Sequence, residues 1–175
     1  MATEDKKWRE AFSHIGELVS LASALDYQLN HIVIEVLGLI TSPMLEPVVA
    51  TLDSARKIEM LKGRVKHIDS EAWKKPVLDY VDLVERVSRC RNTVCHSQLL
   101  SQNGKFVFSS PQAAKIFKGL RFEGVPTVDR LGMDGVFDAI NLAEKALGQG
   151  ENIIDNFKRF RSAFKEKMKN TSEGK

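Results

Sequence analysis

The sequence predicts an all-α protein: an up-and-down bundle of four to five helices with a small β-hairpin inserted after the third long helix. Three observations predict it. Apolar residues recur at steps of three and four through several long stretches, which is the stripe of an amphipathic helix. The dipeptide Asn103-Gly104 lies between apolar and β-branched residues, a strong short-range hairpin signal. Breaks such as Thr41-Ser42-Pro43 are short, as antiparallel neighbouring helices require.

Taken in order, the first helix is expected from about Lys6 to Leu39. Its stripe is Trp8, Phe12, Ile15, Leu18, Ala22, Leu25, Leu29, Ile32 and Val36. A second helix is expected from about Leu45 to Ile68, with Val49, Leu52, Ala55, Ile58, Leu61 and Val65 on one face. Asp69 or Ser70 can cap a third, opened by Glu71 and Ala72. Pro76 falls close to its start. This helix carries Trp73, Val77, Tyr80, Val81, Val84 and Val87 and runs into the heptapeptide Arg91-Asn92-Thr93-Val94-Cys95-His96-Ser97. The hairpin follows over Leu99 to Phe108. Pro111, Gly119, Gly124 and Pro126 then mark a long insertion, with a short helix at Gln112–Lys118 and an extended piece at Leu120–Phe122. A final helix starts near Met133, with Ile140, Ala143, Leu147, Ile154, Phe157, Phe164 and Met168 on its stripe, and Gly148 and Gly150 as points where it can kink. The polar end, Asn170 to Lys175, is expected to fray. The organisation is one domain over 1–175, with an insertion at about 98–131 and a tail at about 169–175.

The bulk numbers fit this plan. A chain of 175 residues with 43% hydrophobic and 28% charged content can build one sizeable core without staples. The formal charge of +3, from 26 basic and 23 acidic residues, permits contact with a phosphate backbone without demanding it. Part of that excess lies between Lys158 and Lys175. No apolar run approaches the ~20 residues that span a bilayer, and the start lacks the apolar core of a secretory signal. Cys90 and Cys95 fit no zinc-ligand spacing. A cytoplasmic protein with two ordinary thiols and no membrane partner is expected.

The heptapeptide is the segment that calls for an explanation. On a wheel of about 100° per residue, Val77, Val81, Val84, Ser88, Arg91 and Cys95 form one seam, so Arg91 stands where a hydrophobe is normal. A guanidinium there needs carboxylate, phosphate or backbone partners. Asn92 and His96 share a polar stripe with Glu85 and Arg89, roughly 140° around from Arg91 in the case of His96. Arg91 and His96 can meet one ligand if the helix ends near Cys95, or if a second subunit brings a matching pair. A purely structural account stays open: Arg91 holding Asp26 or Glu35, with Asn92 and His96 bonding the last helical carbonyls. The chemical account starts from histidine, which titrates near neutral pH and shuttles a proton. Arginine offers a fork of donors to phosphate, and asparagine fixes a tautomer or donates to an oxyanion. Lacking carboxylates, the trio suits metal-independent RNA cleavage better than metal binding.

Arg91-Asn92-x-x-x-His96 resembles the Arg-x(4–6)-His motif of the HEPN superfamily, which lies at the end of a helix in a helical bundle. Leu25-Asp26 resembles the family's acidic position on the first helix. Ala55-Arg56-Lys57-Ile58-Glu59-Met60-Leu61 resembles the helix that precedes the motif helix in many bacterial members. The resemblance covers roughly Leu18 to Ser97, with the last helix matching by architecture. It implies a homodimer in which two Arg–His motifs face one cleft; separately, the residue types lead to the expectation of no metal, and no cofactor is expected. Many members are RNases of toxin–antitoxin or phage-defence systems, so RNA and an antitoxin or other protein are the partners it implies. Carried over, Arg91 would hold the scissile phosphate, His96 would act as general base or acid, and Asn92 would orient it. Other members are non-catalytic nucleotide-binding or interaction modules, and that alternative stays open. A DNA-binding regulator using the basic last helix is a third.

Remaining features are assigned to packing or solvent. His14, His31 and His67 have no second ligand at helical spacing. Phe157, Phe160 and Phe164 are expected as a core or dimer stripe rather than a base-stacking platform. Lys158, Arg159, Arg161, Lys165, Lys167 and Lys169 fit a solvated helix face as well as a phosphate backbone.

Overall fold

A computed structural model describes residues 2–39, 44–109 and 131–173. Among the described residues the chain is mainly helical and carries a small antiparallel sheet. The elements are α1 (Ala2–Leu37), α2 (Leu45–Thr51), α3 (Ser54–Val65), α4 (Glu71–Cys95), β1 (Gln98–Gln102), β2 (Lys105–Ser109), β3 (Leu131–Gly132) and α5 (Met133–Glu173). No helix among these residues is long and apolar enough to cross a membrane.

Each boundary has a local cause. α1 stops at Leu37 because Gly38 takes φ 71° and bonds its N–H to the Glu35 carbonyl. The single helix expected from Leu45 to Ile68 is two helices. Leu52 is extended (ψ 144°), and Asp53 caps α3 by accepting the Arg56 N–H at 2.8 Å. Ser70 opens α4, its carbonyl accepting from the N–H groups of Trp73 and Lys74 at 3.0 Å. Asn103 (φ 52°) and Gly104 (φ 75°) both take the left-handed conformation that a two-residue type I′ turn requires. The turn fixes the register, pairing Gln98 with Ser109 and Gln102 with Lys105. β3 adds a third strand beside β2. α5 continues through Gly148 and Gly150 to Glu173, where a frayed tail from Asn170 was expected. The helix expected at Gln112–Lys118 and the extended piece at Leu120–Phe122 lie outside the described residues.

Two compact units make up the chain: Met1–Ala22 with Arg86–Ala143, and Ser23–Glu85 with Glu144–Lys175. In the first, Ala11, Leu18, Ala22, Val87, Val94, Phe108, Val136, Ala139, Ile140 and Ala143 are buried. The stripe of α1 passes through Ala11; Phe12 is exposed and packs its ring beside Trp8 at 5.7 Å. Trp8 in turn meets Phe106 of β2 edge-on at 4.6 Å.

In the second unit, Leu25, Leu29, Ile32, Val33 and Val36 of α1 are buried, as are Ile58, Leu61 and Val65 of α3 and Val77, Tyr80, Val81 and Val84 of α4. Ile153, rather than the expected Ile154, is the buried member of α5 at that turn. α5 approaches α1 closely at Gly150, where a Cβ would clash with the side-chain amide of Gln28. Glycine is required there, since Gln28 also donates to the Leu147 carbonyl at 2.8 Å. Glu35 is held by Arg161, which adds a second contact at 3.4 Å.

Candidate functional site

The candidate site is the C-terminal end of α4. The buried residues of α4 are Val77, Tyr80, Val81, Leu83, Val84, Val87 and Val94. On a wheel of about 100° per residue, Arg91 lies within about 40° of Val87 and about 60° of Val94. It therefore belongs to the buried arc, as its spacing predicts, and it is half-buried there. Ser88 is also half-buried, whereas Cys95, expected on the same seam, is exposed. The seam reaches the surface at the helix end, and Arg91 is the charged residue on it at that point.

α4 ends at Cys95, with the His96 N–H donating to the Asn92 carbonyl at 3.0 Å. His96 thus stands just past the last helical residue, and Ser97 leads into β1. Asn92 and His96 are both exposed. Among the described residues no hydrogen bond joins the side chains of Arg91, Asn92 and His96 to one another. The helix end that Arg91 and His96 need in order to approach one ligand is present. Orphan carbonyls of the last turn give this end a partial negative charge, which suits the permanently charged Arg91 guanidinium on that turn. Thr93 Oγ1 donates to the Arg89 carbonyl at 3.0 Å.

The two thiols flanking the site differ. Cys90 is half-buried and lies 3.5 Å from the Gly135 carbonyl, and burial pushes its thiol up from the ordinary value. Cys95 is exposed. Among the described residues no group of three His, Cys, Asp or Glu side chains could hold a metal ion.

A second polar centre, which periodicity alone did not reveal, lies in the other unit. Lys57 is completely buried, and its Nζ stands 3.2 Å from Asp26 Oδ1. Ser54 Oγ donates to the same oxygen at 2.8 Å. Tyr80 is buried with its hydroxyl unpartnered; burial first, and the Asp26 charge second, push its phenol well above the ordinary range. The signal was present in the spacing: Ser54, Lys57 and Leu61 follow one another at steps of three and four, which places a charge on the stripe of α3. Asp26 and Glu35, the carboxylates that the sequence offered to Arg91, are engaged by Lys57 and Ser54 and by Arg161.

No family model, no curated protein and no solved structure matches the chain.

Proposed function

We propose that the protein is a HEPN-like endoribonuclease, a homodimeric up-and-down helical bundle acting in a toxin or phage-defence role, with Arg91, Asn92 and His96 as its catalytic residues. One observation carries the reading: α4 stops at Cys95, so a half-buried arginine on the core stripe and an exposed histidine flank a helix end. Asp26 and Glu35 are occupied by other residues, which supports a role for Arg91 toward a ligand.

The chemistry follows from the residue types. The Arg91 guanidinium binds two non-bridging oxygens of the scissile phosphate and offsets the charge that builds on them. The 2′-hydroxyl loses its proton to an imidazole, its oxygen attacks phosphorus, and the bond to the 5′-oxygen breaks. A proton delivered to that leaving oxygen completes a 2′,3′-cyclic phosphate and a free 5′-hydroxyl. Base and acid are both histidine roles, and a dimer supplies His96 twice. Asn92 fixes the imidazole or donates to the phosphate.

Incubating the full chain with total or transfer RNA in EDTA tests this. Cyclic-phosphate ends are expected, with a rate drop of about 10²–10⁴ in His96→Ala and unchanged thermal stability. Intact RNA at high protein concentration would overturn the catalytic reading. A non-catalytic interaction module of the same fold is favoured by Arg91 standing in the buried arc. In that case Arg91→Ala changes the oligomeric state and no RNA is cut.

A further inference from the structure

The C-terminal half of α5 carries aromatic residues that the unit does not bury. Trp73 of α4 meets Phe157 edge-on at 5.1 Å and Phe160 at 5.5 Å. Phe160 and Phe164 follow with rings within 24° of parallel and centroids 6.4 Å apart. Phe160 is 57% and Phe164 55% exposed, so the expected core stripe surfaces at this end of the helix. Burying a phenyl ring normally stabilises a fold, and two successive rings left in water form an exposed apolar patch of the kind that marks an interaction site.

Charge says what covers it. On the α5 wheel, Phe157, Phe160 and Phe164 span about 60°. Arg161, Lys165 and Lys158 border that arc on one side and Lys167 on the other, while Asp155 and Glu166 fall on the opposite face. Arg161 is engaged by Glu35, whereas Lys158 and Lys165 are exposed beside the rings. A second copy of this face would bring lysines against lysines. Near-parallel ring faces bordered by cations match a ligand with planar apolar faces and a chain of negative charge.

We propose that Trp73, Phe157, Phe160 and Phe164, bordered by Lys158 and Lys165, form a docking face for single-stranded nucleic acid. Bases stack on the phenyl faces and phosphates run along the lysines. From Phe157 to Phe164 the helix rises ~10 Å, which accommodates about three bases at the ~3.4 Å stacking rise. The face deepens the ribonuclease reading, on which it rests for the identity of the strand as RNA.

Labelled oligothymidine is the probe, because it lacks the 2′-hydroxyl and reports binding apart from cleavage. The full chain is expected to bind it in a salt-dependent way by fluorescence anisotropy. Phe160→Ala combined with Phe164→Ala should weaken binding by about tenfold or more, with an unchanged thermal melt. Phe164→Trp should preserve affinity, and Lys158→Gln with Lys165→Gln should flatten the salt slope by about one to two. The proposal is overturned by an absence of binding, or by binding indifferent to the phenylalanine pair. Preferential capture by phosphatidylserine vesicles, or a change in oligomeric state of the Phe160/Phe164 variant without nucleic acid binding, would also overturn it. Binding without any RNA cleavage would sink the ribonuclease reading and leave the docking face standing.

Discussion

Lys57 and Arg91 are both cations on the apolar stripe of a helix, yet the structure treats them differently. Lys57 is wholly buried in the middle of its unit, with the Asp26 carboxylate at 3.2 Å. Arg91 is half-buried one turn from the end of α4. A buried ammonium must have its counter-charge built into the fold, since an unpaired one costs several kcal/mol. A guanidinium at a helix end remains hydrated and keeps donors for a ligand. Similar positions on the stripe therefore mark a structural charge in one case and an available one in the other, and depth decides which.

The sharpest way to break this comparison is to remove counter-charges. Asp26→Ala should cost about 3 kcal/mol in chemical denaturation by stranding Lys57, whereas Lys57→Met should be nearly neutral. Arg91→Ala should change stability by less than about 1 kcal/mol. Equal losses for Asp26→Ala and Arg91→Ala would erase the distinction.

A smaller effect tests the same centre from its neutral side. The Tyr80 hydroxyl is buried without a partner, so Tyr80→Phe should stabilise the fold by about 1 kcal/mol. Because burial raises the phenol above its unfolded value near 10, the folded protein holds that proton after the unfolded chain has released it. Its contribution is fully present below pH ~10 and is lost as pH rises further. Alkaline melts of Tyr80→Phe should therefore decline less steeply than those of the parent.

The smallest expected effect is kinetic and lies at the candidate site. At neutral pH an alkylating reagent should label exposed Cys95 on the order of tenfold faster than half-buried Cys90, and denaturant should abolish the difference. Mass spectrometry of the two peptides reads both rates. Equal labelling of the folded protein would mean that the end of α4 is open on both sides.

Much of this organisation was legible in the sequence because periodicity and turn chemistry are local. Asn103-Gly104 specified its hairpin, and the start of α4 was legible as a cap at Asp69 or Ser70, whereas its end at Cys95 was one of two ways in which Arg91 and His96 could meet a ligand. The break at Leu52-Asp53 escaped because Val49, Leu52, Ala55 and Ile58 keep three-residue steps across it, so the stripe continues on paper where the backbone does not. Phe12 and Ile154 were each assigned one position out of phase, since two adjacent residues compete for one stripe and neighbouring packing chooses Ala11 and Ile153. Lys57 was overlooked because a search for apolar recurrence passes over a charge whose partner is thirty-one residues away. For the site, spacing identified Arg91 and His96, while the half-burial of the one and exposure of the other depend on where the helix stops.

His96 is tethered on both sides. Behind it, its N–H is tied to the Asn92 carbonyl. Ahead of it, two residues away, Gln98 is locked opposite Ser109 by a register that the Asn103-Gly104 turn dictates. A strand cannot slip by one residue without turning its inward face outward, so the hairpin acts as an anchor for the imidazole upstream. The backbone freedom of a loop histidine, roughly 1–2 kcal/mol of entropy, is surrendered once, when the chain folds, and not again each time a ligand arrives.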